Sequence, residues 1–206
     1  MSLTRNLGLA ALGLGAAAPF AGSPYGAPSS ANVDGLAKVI GDGGDHISAL
    51  QLAAWIRARK PGLRVIDVRS PEEFAAFSLP TAENIGVDQL SRARFAKGDT
   101  VVLYSEGGAH AGQAWVLLRL MGVTNAYFIA GGLADWRDEV MTPNLPTDAS
   151  ADVVKAFAPI AELSAYFGGT PQTGPAGSKP TQMNSAPPSA TIGAAADLAA
   201  LRRRGC

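Results

Sequence analysis

Thr100-Val101-Val102-Leu103-Tyr104-Ser105-Glu106-Gly107-Gly108-Ala109-His110-Ala111 is the stretch whose reading decides the fold. Its first five residues are β-branched, aliphatic or aromatic without polar alternation, as in a strand buried on both faces. Ser105 and Glu106 then lead into two glycines, which permit the backbone angles of a tight loop. From Ala111 to Met121 the chain is strongly apolar at helical length, and Gly122 stops it. A buried strand therefore runs through a small glycine-rich loop into a helix.

The same alternation continues on both sides. Upstream, Arg64-Val65-Ile66-Asp67-Val68 reads as a short buried strand, and Ser70-Pro71-Glu72-Glu73 opens a helix with Phe74 and Phe77 on one face. Pro71 suits the first helical position, and the helix dipole favours Glu72 and Glu73. Before that strand, Ser48-Ala49-Leu50-Gln51 has a capping-box pattern followed by apolar Leu52, Trp55 and Ile56, with Pro61-Gly62 as the stop. Downstream, Ala126 to Ala130 is another strand, and Gly131-Gly132 turns the chain into a short helix containing Trp136. Trp55, Trp115 and Trp136 are expected in the core. Strands separated by helices imply an α/β domain with a parallel sheet flanked by helices. Ligands in such folds bind at the carboxyl ends of strands, and Ser105 stands at one.

Around this domain, placed at 46–142, composition sets the remaining boundaries. Residues 1–31 read as a signal peptide or N-terminal anchor with its linker: Arg5 precedes an apolar run from Leu7 to Ala18. Export to the periplasm or membrane anchoring follows as the expectation, with a cytoplasmic protein as the alternative. Residues 32–45 are expected to be linker, because Gly and Asp recur with little periodicity. Residues 143–168 form a helical extension, with Val153, Phe157, Ile160, Leu163, Tyr166 and Phe167 at helical steps and a break near Pro159. Residues 169–192 read as a disordered linker of Gly, Pro, Ser, Thr and Gln. Residues 193–206 read as a basic C-terminal helix, Ala194 to Arg204, ending in Cys206.

The 206 residues carry 17 basic and 17 acidic side chains, so no overall field draws the chain to nucleic acid. Cys206 is the single cysteine, which excludes an internal disulfide. With two histidines and that one cysteine far apart, no metal-ligand spacing exists, and neither a metal nor a cofactor is expected. His46, before a helix cap, is expected to be solvated.

Three stretches in order carry a family resemblance: Asp67-Val68-Arg69-Ser70-Pro71-Glu72-Glu73-Phe74, the loop around Ser105, and Gly131-Gly132-Leu133-Ala134-Asp135-Trp136. Together they resemble the rhodanese-like (sulfurtransferase) family over about residues 46–140. The segment Phe77-Ser78-Leu79-Pro80-Thr81-Ala82 departs from the family's pattern by lacking two glycines and a histidine. The resemblance places Ser105 where the family has its catalytic cysteine and His110 where it has an arginine. Rhodaneses transfer sulfur through a cysteine persulfide whose charge is stabilised by loop amides. A serine hydroxyl forms no persulfide and is a far weaker nucleophile.

The resemblance therefore implies a domain without thiosulfate:cyanide sulfurtransferase activity, whose loop binds a small anion or a protein partner. Ligand contacts are expected from Glu106, Gly107, Gly108 and Ala109 in the loop and from Asp67 and Arg69 beside it, where structural polar pairing with Glu73 is the competing role. Two other readings stay open. Cys206 can carry sulfur, its pKa lowered by Arg202-Arg203-Arg204, on a flexible linker spanning roughly 25 Å. Alternatively, Ser105 with His110 as its base can hydrolyse a phosphate or acyl substrate, with Asp67 or Glu106 as the orienting group.

Overall fold

The computed structural model describes residues 33–183. The signal or anchor segment, the C-terminal helix and Cys206 lie outside the described residues. A helix, α1 (Val33–Gly41), precedes a five-stranded parallel sheet built from β1 (His46–Ile47), β2 (Leu63–Asp67), β3 (Ala82–Asn84), β4 (Thr100–Tyr104) and β5 (Ala126–Ile129). The strand order is β1-β5-β4-β2-β3. Between the strands run α2 (Ala49–Arg57), α3 (Pro71–Ala76) and α4 (Ala109–Leu120). After β5 come α5 (Gly132–Asp135), prolonged by a π-helical turn (Trp136–Met141), then β6 (Asn144–Pro146), α6 (Ala151–Tyr166) and β7 (Gln172–Gly174).

Central strand β4 shows why the sheet must be covered on both sides. All five of its residues are buried, and the four after Thr100 divide between two cores. Val102 and Tyr104 join Val65, α2, the Trp136 turn and α6; Val101 and Leu103 join Ile66, α4 and Val39 of α1. Burying such a strand on one face alone would leave aliphatic side chains in water, at roughly 1.5–3 kcal/mol each.

Local signals account for the helix starts. Ser48 Oγ accepts the Gln51 amide at 3.1 Å. Ser70 and Glu73 make a reciprocal capping box with Pro71 in the first turn. Helix α4 ends where Gly122 takes φ +87° and the Val123 amide reaches back to the Leu118 carbonyl at 3.0 Å.

Several expectations need correction. The linker read over 32–45 holds α1, whose Val39 is buried in the α4-side core; Val33, Leu36, Val39 and Ile40 fall at helical steps, a short period masked by the glycines and aspartates around it. The sheet has two edge strands, β1 and β3, too short to give a pattern. Helix α2 ends at Arg57, before Pro61, because Arg59 turns left-handed at φ 50°. Helix α6 runs unbroken through Pro159, held by burial of Phe157, Ile160 and Leu163 against α2 and the Trp136 turn. The linker read over 169–192 is ordered through residue 183: β7 pairs in parallel with β6, and the Asn144 side chain donates to Ser178 Oγ and to the Lys179 carbonyl, both at 3.0 Å.

Among the described residues no helix is long and apolar enough to cross a membrane.

Candidate functional site

Strand β2 leads outward to β3 on one side of the sheet, whereas β4 leads to β5 on the other. The loops leaving their carboxyl ends therefore diverge and open a crevice, the position at which doubly wound sheets hold ligands. A cleft of about 650 Å³ lies there, within the range of small-molecule sites.

Its floor is Ser105, which is 3% exposed. Ser105 Oγ accepts the Gly108 amide at 3.1 Å and the Ala111 amide at 3.4 Å. The hydroxyl proton has no acceptor among the described residues. Gly108 caps α4 with φ +85°, and a Cβ there would overlap the Ala130 carbonyl, so only glycine closes this loop unstrained. The amides of Glu106, Gly107, Ala109 and His110 also lack acceptors among the described residues. Oriented N–H groups at a helix N-terminus favour negative charge.

The loop is held from behind by the turn into α5. Leu133 donates its amide to the Ser105 carbonyl at 2.9 Å, and Ala134 donates to the Glu106 carbonyl at 3.2 Å. Gly132, at φ +60°, permits this approach, since a Cβ there would overlap the Ser105 carbonyl oxygen. Asp135 Oδ2 accepts the Gly131 amide at 3.0 Å and fixes the turn.

Beneath the cleft, Asp67 is fully buried and paired with Arg69, whose Nη2 lies 2.6 Å from Oδ2 and whose Nε lies 3.0 Å from Oδ1. Arg69 Nη2 also donates to the Phe77 carbonyl at 2.6 Å. The Arg69 guanidinium stands over the Tyr104 ring, 5.8 Å from its centroid, and the Tyr104 hydroxyl accepts the Leu79 amide at 3.1 Å. Burial pushes the Tyr104 phenol well above its ordinary value, so it stays protonated. Hydrogen bonding to Asp67 raises the Arg69 pKa further. This network ties both the residue after α3 and Leu79 to the sheet.

At the rim, Glu106 accepts from Arg137 Nη1 at 2.6 Å and lies 3.6 Å from Arg69 Nη1. The Arg137 hydrogen bond holds the Glu106 carboxyl below its ordinary value, so it faces the cleft as an anion.

Over residues 48–139 the chain matches the family described as "Rhodanese-like domain". Residues 48–139 are a rhodanese-like domain. A curated relative, the uncharacterized protein slr1261 of Synechocystis, is 32% identical over 88 residues, covering 40% of this chain and 49% of that protein. Another, the uncharacterized protein YqhL of Bacillus subtilis, is 32% identical over 79 residues, covering 37% and 63%. The chain thus spans about half to two thirds of the curated relatives' lengths. Among solved structures, a human single-domain sulfurtransferase shares 29% identity, 44% of this chain, 93% of that chain and a TM-score of 0.40. The BH2092 protein of Bacillus halodurans shares 22% identity, 50% of this chain, 79% of that chain and a TM-score of 0.44.

The rhodanese-like domain gathers Arg69, Ser105, Glu106, Gly107, Ala109 and His110 around one cleft, with Gly108 and Asp67 directly behind the lining. His110 is exposed on the first turn of α4, and among the described residues no hydrogen bond joins it to Ser105. Asp67 is committed to Arg69, and Glu106 to Arg137, so neither orients His110. Glu73 serves the cap of α3 and also lines the cleft. His46 lies away from the cleft on β1, with Nδ1 2.7 Å from Asp45 Oδ1. Among the described residues no cluster of ligating side chains suits a metal.

The sequence reading missed four contributors. Asn84, whose Nδ2 donates to the Asp67 and Arg69 carbonyls at 3.1 and 3.0 Å, reaches the cleft from the end of β3, and Asp88 from the segment after it. Arg137 comes from the π-helical turn, and Tyr104 from inside the strand.

Proposed function

We propose that this rhodanese-like domain is an anion-binding module without sulfurtransferase activity, with Ser105 in the position of the family's catalytic cysteine. The observation that carries the reading is Ser105 itself. Its oxygen sits on the loop amides that would face a reactive sulfur, and an alcohol there cannot take up sulfane sulfur. What remains usable is the donor array: the free Ser105 hydroxyl proton and the unpaired amides of Glu106, Gly107, Ala109 and His110, at the positive end of α4.

The test is the melting temperature of the full chain with inorganic phosphate and, separately, with thiosulfate. A ligand that binds only the folded chain raises stability by RT ln(1 + [L]/Kd), about 2.7 kcal/mol at a hundredfold excess over Kd. A concentration-dependent rise with either anion, reduced in Ser105→Ala, supports the reading. A melting temperature unmoved by both contradicts it.

A further inference from the structure

The side chains around the cleft do not suit a bare anion. Glu73, Asp88 and Glu106 line it together with Arg69 and His110. Arg69 is spent on Asp67 and the Phe77 carbonyl, so it offers little to a ligand. Glu106 is matched by Arg137. Glu73 uses Oε2 to accept the Ser70 amide at 3.0 Å, leaving its other oxygen open. Asp88 is exposed and has no hydrogen bond or ion pair among the described residues. The cleft thus has a donor-rich floor, at a buried hydroxyl whose proton has no partner among the described residues, and the carboxylates of Asp88 and Glu73 in its lining.

From this polarity we infer that the ligand is a zwitterion: an oxyanion group, best met by a phosphate monoester, on the floor and a protonated amine at Asp88 and Glu73. The inference rests on the anion-binding reading and adds the second charge. Both poles line one cleft of about 650 Å³, which admits a small molecule carrying the two groups a few bonds apart. An anion alone gains from the amides but meets uncompensated carboxylates, whereas an attached ammonium cancels that repulsion.

Isothermal titration of the full chain with ω-aminoalkyl phosphates of about two to five carbons, each against the n-alkyl phosphate of equal length, tests it. For at least one length the amine is expected to tighten binding about fivefold or more, and Asp88→Asn is expected to remove that gain while leaving alkyl phosphate binding in place. Asp88 makes no hydrogen bond or ion pair among the described residues, so the variant keeps the fold. Equal affinity of each pair, or a gain retained in Asp88→Asn, overturns the inference and leaves the anion reading standing. Failure of every phosphate to bind overturns both. Vesicles of phosphatidylethanolamine present an ammonium beside a phosphodiester from a bilayer and are expected not to bind, because Ser105 is 3% exposed at the cleft floor. Binding to vesicles without binding to the free phosphates overturns the assignment to a small molecule.

Discussion

The amide of Leu133 lies 2.9 Å from the carbonyl oxygen of Ser105, so the turn after β5 holds the loop after β4 in shape. Gly132 makes that contact possible, because its φ of +60° and missing side chain let the two backbones meet. Gly132→Ala is expected to destabilise the domain by about 2–3 kcal/mol, the scale of overpacking combined with left-handed strain. Urea denaturation checks this, and amide chemical shifts should move first at Ser105 to Ala109. An unchanged midpoint would mean that the turn does not support the loop.

Ser105→Ala removes the acceptor of the Gly108 and Ala111 amides. Leaving a buried N–H such as that of Gly108 unpaired costs about 1–3 kcal/mol. Faster hydrogen exchange at Gly108 and Ala111, with little change at the centre of β4, is the expected signature.

The Asp67–Arg69 pair carries the largest single effect. Arg69→Leu strands a fully buried carboxylate and releases the Phe77 carbonyl, for an expected loss of about 3–5 kcal/mol. The double variant Asp67→Asn/Arg69→Leu should recover part of that loss by urea denaturation, since the stranded charge is gone. No recovery would show that Arg69 acts mainly through Phe77.

How legible the domain was from sequence differs by element. The β4–loop–α4 unit declared itself because a five-residue run of β-branched, aliphatic and aromatic side chains, two glycines and an apolar helix admit few alternatives. The Ser48 and Ser70 caps were equally plain, because capping is a local interaction. Strands β1 and β3, with two and three residues, are too short to carry a period. Order from β7 through residue 183 was hidden because it depends on Asn144, far away in sequence, rather than on apolar mass. The cleft's floor was readable from one loop, and Arg69 and Glu73 beside it from another, but the rest of its surroundings was not. Asp88 and Arg137 arrive from separate connections, which only the strand order brings together.

Asn144→Ala should free that segment. The side chain holds Ser178 and Lys179, and the Asn144 amide donates to Thr181 Oγ1 at 2.8 Å, a backbone contact the variant retains. Limited proteolysis is expected to cut near Lys179 faster in the variant, while the melting temperature falls only slightly. Equal cleavage rates would assign the order of the segment to β7 alone.

Two carboxyl groups set opposing pH dependences. Burial, reinforced by Asp135, raises the Glu139 pKa above the ordinary 4.5, so the folded chain holds that proton more tightly than the unfolded chain. Its contribution to stability is therefore lost as pH rises from about 4.5 through the raised value. Glu106, lowered by Arg137, contributes stability above 4.5 that is lost as pH falls through its depressed value. Glu139→Gln is expected to raise the melting temperature at neutral pH relative to the native chain, with the advantage vanishing below pH 4.5. Glu106→Gln, at an exposed pair, should shift it little at any pH. An advantage for Glu139→Gln that persists in acid would assign its effect to packing rather than to charge.

The central claim is that this rhodanese-like domain keeps the loop but lacks the thiol, and thiosulfate:cyanide sulfurtransferase activity of the full chain tests it most directly. The native protein is expected to show no turnover, and Ser105→Cys is expected to gain it because the loop amides already converge on that side chain. Turnover by the native protein, abolished in Cys206→Ser, would contradict the account and make the C-terminal thiol the sulfur carrier.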